Sequence, residues 1–147
     1  MNMPADAGMF FLVEEMDEKK SQRVLVVDDD TLMREVLKAI LRDEGFTVAG
    51  EAKDGQAGLA QAERLRPDAI CLDVNMPGIS GLDTLKILRE KCPEVRVVMI
   101  TGDASMATVR EAVSFGAVGY IIKPFNAGRV GDALRAALKP AGDSIFS

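Results

Sequence analysis

The sequence has no histidine and no tryptophan, and Tyr120 is its only tyrosine among 147 residues. Without histidine, this chain can neither form a phosphohistidine nor use imidazole as a catalytic acid, base or metal ligand. Aromatic residues make up 5% of the chain, too few to supply stacking platforms for single-stranded nucleic acid. We therefore expect a largely aliphatic core and a phosphate source, if one is needed, outside this chain.

Cysteine and positive charge are also scarce. Cys71 and Cys92 are the only cysteines and do not form a C-x-x-C pair, which disfavours a structural zinc site and suits a reducing compartment. The 18 basic and 23 acidic residues give a net charge of −5. We expect no direct contact with nucleic acid, because such proteins normally carry a basic patch or stripe.

Long apolar runs are missing as well. None approaches the roughly 20 residues that cross a bilayer. The apolar pentad Met9–Val13 is followed by acidic residues at 14, 15 and 17, and it lacks the basic start and small-residue cleavage site of a signal peptide. The expected location is cytoplasmic, with no membrane association.

Five short apolar runs alternate with amphipathic segments from residue 23 onward. Four runs are almost continuously apolar, as in strands of a parallel sheet that is covered on both faces, whereas the second is mixed and suits an edge. The predicted strands are Val24–Val27, Val48–Ala52, Ala69–Asp73, Val95–Thr101 and Gly119–Ile122.

The segments between these strands have helical spacing of apolar residues. Three are Gly55–Leu65, Gly81–Lys91 and Ser105–Phe115; the other two carry the stripes Met33, Val36, Leu37, Ile40, Leu41 and Val130, Ala133, Leu134, Ala137, Leu138. This pattern predicts an α/β fold of (βα)5 type, a doubly wound parallel five-stranded sheet. We assign residues 23–139 to this domain, 1–22 to an N-terminal extension and 140–147 to a tail.

Polar side chains lie where four of the predicted strands stop: Asp28–Asp30 follow the first, Asp73 ends the third, Thr101 ends the fourth and Lys123 follows the fifth. The carboxyl ends of parallel strands share one edge of the sheet, where ligands bind. Clustered carboxylates repel one another unless a cation such as Mg²⁺ neutralises them. Asp73 could then be a nucleophile, with Lys123 and Thr101 binding phosphoryl oxygens. Asp30 also suits a helix N-cap.

Taken together, four motifs resemble the receiver domain of two-component response regulators, in the stand-alone form typified by chemotaxis regulators. The motifs are Val26-Val27-Asp28-Asp29, Asp73-x-Asn75-Met76-Pro77-Gly78-x-x-Gly81, Thr101-Gly102 and Gly119-Tyr120-Ile121-Ile122-Lys123-Pro124-Phe125. The resemblance covers about residues 22–139. It implies a flavodoxin-like strand order of 2-1-3-4-5.

The resemblance also implies the roles of the acidic residues. Asp73 would accept a phosphoryl group from a sensor histidine kinase or a phosphotransfer protein. Asp29, Asp73 and the backbone carbonyl of Asn75 would bind Mg²⁺, with Asp28 contributing through water. The protein would be a phospho-acceptor signalling domain, not a conventional enzyme, and would assist its own phosphorylation and dephosphorylation.

The resemblance further implies that Thr101 and Tyr120 form a switch pair that transmits the effect of phosphorylation. They would remodel the surface formed by the fourth helix, fifth strand and fifth helix, where a downstream protein would bind. Lys123–Pro124 would be a cis peptide bond, and Asn75 and Asp103 would influence phosphate lifetime. On residue type alone, Tyr120 equally suits a core or rim position.

Alternatives remain open at this level. A phosphate-independent interaction module would keep the fold without the switch. A haloacid-dehalogenase-type phosphatase would also use an aspartate, Mg²⁺, a threonine and a lysine, but its nucleophile follows the first strand, and no later acidic pair or cap segment is seen here. The pentad Met9–Val13 could be disordered, pack on its own domain or dock on a second copy, which makes a homodimer a hypothesis.

Overall fold

The computed structural model describes residues 22–140. Strands and helices alternate throughout: β1 (Arg23–Val27), α1 (Thr31–Asp43), β2 (Thr47–Ala52), α2 (Gly55–Leu65), β3 (Ala69–Leu72), α3 (Gly81–Lys91), β4 (Arg96–Thr101), α4 (Met106–Ser114), β5 (Gly119–Ile122) and α5 (Ala127–Ala137). The predicted (βα)5 pattern is confirmed. Among residues 22–140, no helix has the length and apolar character needed to cross a membrane. The pentad Met9–Val13 lies outside the described residues.

All five strands are parallel and lie in the order β2-β1-β3-β4-β5, which confirms the expected 2-1-3-4-5 order. The central strand β3 is buried along its whole length, whereas most of β2 is only half-buried. β2 lies at one edge of the sheet. This explains why its sequence is more mixed than that of the inner strands.

Successive side chains of each strand enter opposite hydrophobic layers. Leu25, Ile70 and Met99 belong to the layer that includes buried residues of α2, α3 and α4. The other layer includes buried residues of α1 and α5 together with Val24, Val26, Cys71 and Ile100. The apolar stripe of α1 is narrower than predicted: Leu37 and Leu41 are buried, but Val36 is 39% exposed because it lies at the margin of the packed face.

Each helix begins with a side chain that accepts a hydrogen bond from a first-turn backbone N–H. These residues are Asp30, Asp54, Ser80, Ser105 and Asn126. Oδ1 of Asp30 lies 2.9 Å from the N–H nitrogen of Leu32, which confirms the predicted cap. Asp30 thus serves α1, and its two acidic neighbours remain for the carboxyl edge of the sheet.

Gly81 lets the start of α3 pack directly against the end of β3. Its N–H donates to the carbonyl of Val74 at 2.7 Å. A Cβ at this position would lie 1.9 Å from the carbonyl oxygen of Asp73. No larger residue fits without moving the backbone of Asp73, so the position of that aspartate depends on this glycine.

We expect Gly81→Ala to lower the free energy of unfolding by about 1–3 kcal/mol, the usual cost of overpacking. Urea denaturation would measure the change. Gly102→Ala is the matched control, because nothing lies within 4 Å of its Cβ position and its φ is not in the left-handed region. Equal stability of the two variants would contradict the proposed backbone constraint.

Candidate functional site

The carboxyl edge of the sheet brings three acidic side chains together. Val27 and Leu72 are register partners on β1 and β3, so the next residues, Asp28 and Asp73, leave the sheet side by side. One carboxylate oxygen each from Asp28, Asp29 and Asp73 lies within 4.8 Å of the others. Asp28 and Asp73 are buried, whereas Asp29 is exposed. The cluster therefore has two fixed members and one that faces solvent.

Lys123, directly after β5, brings an ammonium group to this cluster. Its Nζ lies 2.9 Å from Oδ2 of Asp28 and 3.4 Å from Oδ2 of Asp73. Its backbone N–H donates to the carbonyl of Thr101 at 2.8 Å. The predicted cis Lys123–Pro124 peptide bond is confirmed. Lys123 is therefore a partner of two buried carboxylates and not a solvated surface lysine.

Burial and charge act against each other at this site. Burial raises the pKa of Asp28, and the negative charge of Asp73 raises it further, whereas hydrogen bonds from Asp30 and Lys123 oppose the rise. Burial alone would lower the pKa of Lys123, but its hydrogen bond to Asp28 and the charges of Asp73 and Asp28 outweigh burial and raise that pKa. One ammonium cannot balance three carboxylates, so a divalent cation would be attracted here.

The donor atoms of the cluster suit Mg²⁺, which prefers oxygen ligands and usually takes one or two carboxylates. Asn75 lies beside them, and its backbone N–H is 3.3 Å from Oδ1 of Asp73. The side chain of Asn75 is exposed. The residues predicted as metal ligands thus lie in the two neighbouring segments that directly follow β1 and β3.

Thr101 and Tyr120 lie on the same face of the sheet, because Tyr120 is the register partner of Met99 and Thr101 is two residues further along β4. Thr101 is completely buried. The hydroxyl of Tyr120 donates to the backbone carbonyl of Asp103 at 2.6 Å. Burial, followed by the charges of Asp103 and Asp73, raises the pKa of Tyr120. Both predicted switch residues therefore adjoin the β4–α4 loop.

Besides its expected influence on phosphate lifetime, Asp103 has a structural role that was not predicted from the sequence. Its carboxylate accepts from the N–H of Ser105 at 3.0 Å and from the hydroxyl of Thr108 at 3.1 Å. The hydrogen bonds from Ser105, followed by that from Thr108, lower the pKa of Asp103. Its own N–H lies 3.3 Å from Oγ1 of Thr101. The aspartate two residues before a serine cap is a turn signal that could have indicated this role.

Comparisons with known proteins bear directly on this arrangement. The sequence profile of the response regulator receiver domain matches residues 24–135. The chain belongs to this family. Chemotaxis protein CheY of Thermotoga maritima is 36% identical to this receiver domain over 118 residues, covering 80% of this chain and 98% of the relative. CheY-3 of Vibrio cholerae is 40% identical over 129 residues, covering 86% and 93%.

Solved structures agree with the sequence comparisons. A CheY-like receiver domain protein from Methanospirillum hungatei has a TM-score of 0.75 at 31% identity, covering 80% of this chain and 93% of that one. The CheX–CheY–BeF₃–Mg complex from Borrelia burgdorferi matches with a TM-score of 0.78 at 27% identity, covering 80% and 90%.

These findings confirm the predicted family and fold. The protein is a receiver domain of two-component signalling, similar to stand-alone chemotaxis regulators, and the family is not one of conventional enzymes. The comparisons give no support to the phosphatase alternative or to a phosphate-independent module.

We expect Asp29→Asn to raise the thermal midpoint in EDTA by a few degrees and to remove most of the stabilisation by Mg²⁺. The substitution deletes one of three mutually repelling charges, and Asp29 is not one of the two carboxylates that pair with Lys123. Thermal unfolding with and without Mg²⁺ would measure both effects.

Asp30→Asn is the control for this prediction, because it makes the same change of charge one residue away and asparagine also caps helices well. It should retain the Mg²⁺ response. The predicted cluster is wrong if both variants respond to Mg²⁺ like the unsubstituted protein.

Proposed function

We propose that Asp73 is the phosphoryl acceptor of this receiver domain and that a sensor histidine kinase or a phosphotransfer protein is the donor. The observation that carries the proposal is the placement of a buried carboxylate 3.4 Å from the ammonium of Lys123, within a cluster of two further carboxylates. Asp28 belongs to the same cluster, but hydrogen bonds of 2.9 Å from Asp30 and Lys123 engage both of its carboxylate oxygens. The contacts of Asp73 with Asn75 and Lys123 are longer, at 3.3 and 3.4 Å, which leaves Asp73 the freer of the two carboxylates to react.

In the proposed transfer, a carboxylate oxygen of Asp73 attacks the phosphorus of the donor's phosphohistidine. The phosphorus–nitrogen bond breaks, and its electron pair leaves with the donor imidazole. The phosphohistidine must lie outside this sequence, because the sequence has no histidine. Lys123 can move its ammonium from Asp73 to a phosphoryl oxygen, and the hydroxyl of Thr101 can donate to another.

We further propose that Asp29, Asp73 and the backbone carbonyl of Asn75 hold Mg²⁺, with Asp28 contributing through water. The all-oxygen donor set and the excess of negative charge support this assignment. When bound, the ion would offset the charges of the acceptor and of the incoming phosphoryl group.

The proposed switch begins with the hydroxyl of Thr101. A phosphoryl group that draws this hydroxyl toward Asp73 would weaken its contact with the N–H of Asp103. The backbone carbonyl of Asp103 also accepts from Tyr120, and its carboxylate accepts from the cap residue Ser105 and from Thr108 in the first turn of α4. A shift at Asp103 would therefore reach α4 and β5 together, with a coupling free energy typically of about 1–3 kcal/mol.

A downstream protein would bind the surface of α4, β5 and α5. Exposed apolar side chains on this part of the molecule support the proposal: Met106, Val113, Val118 and Ile122. The Borrelia neighbour is a complex with CheX, which favours a protein target over nucleic acid.

We propose a cytoplasmic location, supported by the free thiols of Cys71 and Cys92. Burial raises the pKa of Cys71 to about 12. A homodimer through residues 1–22 remains a hypothesis.

We expect incubation with Mg²⁺ and phosphoramidate to add one phosphoryl group to the intact protein, detected by mass spectrometry. Asp73→Asn or EDTA should prevent the addition, because each removes a reacting or charge-neutralising component. Asp83→Asn, an exposed aspartate on α3, is the matched control and should still be modified. Absence of an adduct, together with absence of beryllofluoride binding, would contradict the proposal.

Tyr120→Phe should leave phosphorylation of Asp73 intact while weakening the response of α4. It removes only the hydroxyl that donates to Asp103, which should lower stability by about 1 kcal/mol. Amide NMR shifts on adding beryllofluoride and Mg²⁺ would measure the response. Full-size shifts along α4 and β5 in the variant would show that this hydrogen bond is not part of the switch.

A further inference from the structure

We propose that Arg34 is a positioning residue for the acidic cluster: it anchors the backbone between Asp28 and Asp29, and the Mg²⁺ affinity of the site depends on that anchor. The inference rests on the proposed metal site. It concerns a residue on α1 whose charged side chain would ordinarily be interpreted as part of a solvated helix face.

The guanidinium of Arg34 contacts three different parts of the chain. Its Nη1 donates to the backbone carbonyl of Asp28 at 2.8 Å, and its Nε donates to Oε1 of Glu51 on β2 at 2.8 Å. Its Nη2 lies 3.3 Å from Oγ1 of Thr31. The side chain is only 13% exposed. Arg34 therefore joins α1 and the edge strand to the end of β1.

With the hydrogen bond from Arg34 to its carbonyl, every polar group of Asp28 has a hydrogen-bond partner. Its N–H donates to the carbonyl of Ala52 at 3.1 Å. Its Oδ1 accepts from the N–H of Asp30 at 2.9 Å, and its Oδ2 accepts from Lys123 at 2.9 Å. Arg34 supplies the remaining hydrogen bond, to the one polar group of Asp28 that these contacts leave.

This remaining contact also affects Asp29. The carbonyl of Asp28 and the N–H of Asp29 belong to one planar peptide unit. A hydrogen bond that fixes the carbonyl direction therefore fixes the plane from which the Asp29 side chain departs. Asp29 is the exposed member of the cluster, so the plane of this peptide is a main determinant of where its carboxylate lies.

Arg34 acts more through geometry than through its charge. Glu51 is also bonded to Lys38, and Lys38 pairs with Glu35 at 2.7 Å. The hydrogen bonds from Lys38 and Arg34 lower the pKa of Glu51, so the glutamate is ionised and balances the guanidinium locally. The planar fork of arginine can reach a carboxylate and a carbonyl at once, which an ammonium group cannot do in the same geometry.

The test compares the Mg²⁺ dependence of thermal unfolding for the unsubstituted protein, Arg34→Met, Arg34→Lys and Lys38→Met. The increase of stability with Mg²⁺ concentration yields a Kd that is independent of phosphorylation. We expect both Arg34 variants to raise this Kd about tenfold, the lower end of the effect seen when partners of metal ligands are lost. The midpoint in EDTA shows whether each variant is folded.

Lys38→Met is the matched control, because Lys38 shares Glu51 with Arg34 but its ion pairs are with Glu35 and Glu51 and not with the backbone of Asp28. It should lower the midpoint in EDTA and leave the Kd within about twofold. An equal rise of the Kd in Lys38→Met would overturn the inference, since the effect would then be a general loss of α1–β2 packing.

Three further outcomes would overturn the inference. Tighter Mg²⁺ binding by Arg34→Met would mean that Arg34 acts by charge repulsion, and an unchanged Kd in Arg34→Lys would mean that positive charge alone suffices. Failure of the unsubstituted protein to respond to Mg²⁺ would overturn the proposed metal site itself and the inference with it, which distinguishes the two failures.

Discussion

The contact of Lys123 with Asp28 and Asp73 is the interaction on which the site depends. The lysine is 95 residues from one aspartate and 50 from the other, so the contact exists only when β1, β3 and β5 end at the same edge of the sheet. It also leaves the site with too little positive charge, because one ammonium faces three carboxylates. The fold thus places an excess of negative charge in a largely buried site, where water screens it weakly. Such an excess would attract a divalent cation.

Much of this arrangement could be predicted from the sequence. Apolar runs alternating with helical stripes imply parallel strands, and parallel strands imply one shared edge. Asp28, Asp73, Thr101 and Lys123 could therefore be assigned to a common region before any distance was known. The strand order itself came from the family resemblance, because the alternation of helices and strands does not decide which strands are neighbours.

The contacts of Arg34 could not be predicted in the same way. Arg34 reaches the carbonyl of Asp28, directly after β1, and a carboxylate on β2. Such contacts depend on side-chain rotamers and on the relative placement of several elements. The spacing of charged residues along a helix does not show whether one of them bridges to other elements or faces solvent. The apolar stripe of α1 shows the same limit, since periodicity alone does not reveal that Val36 lies at the margin of the packed face.

Asp103 contacts both proposed switch residues through its main chain, with its N–H near Thr101 and its carbonyl bonded to Tyr120. Every residue except proline has both of these groups. The mechanical link between the two sides of the loop is therefore independent of the side chain at this position, which is left free to diverge among descendants. A substitution at position 103 could thus change how α4 begins without removing the main-chain contacts that join Thr101 to Tyr120.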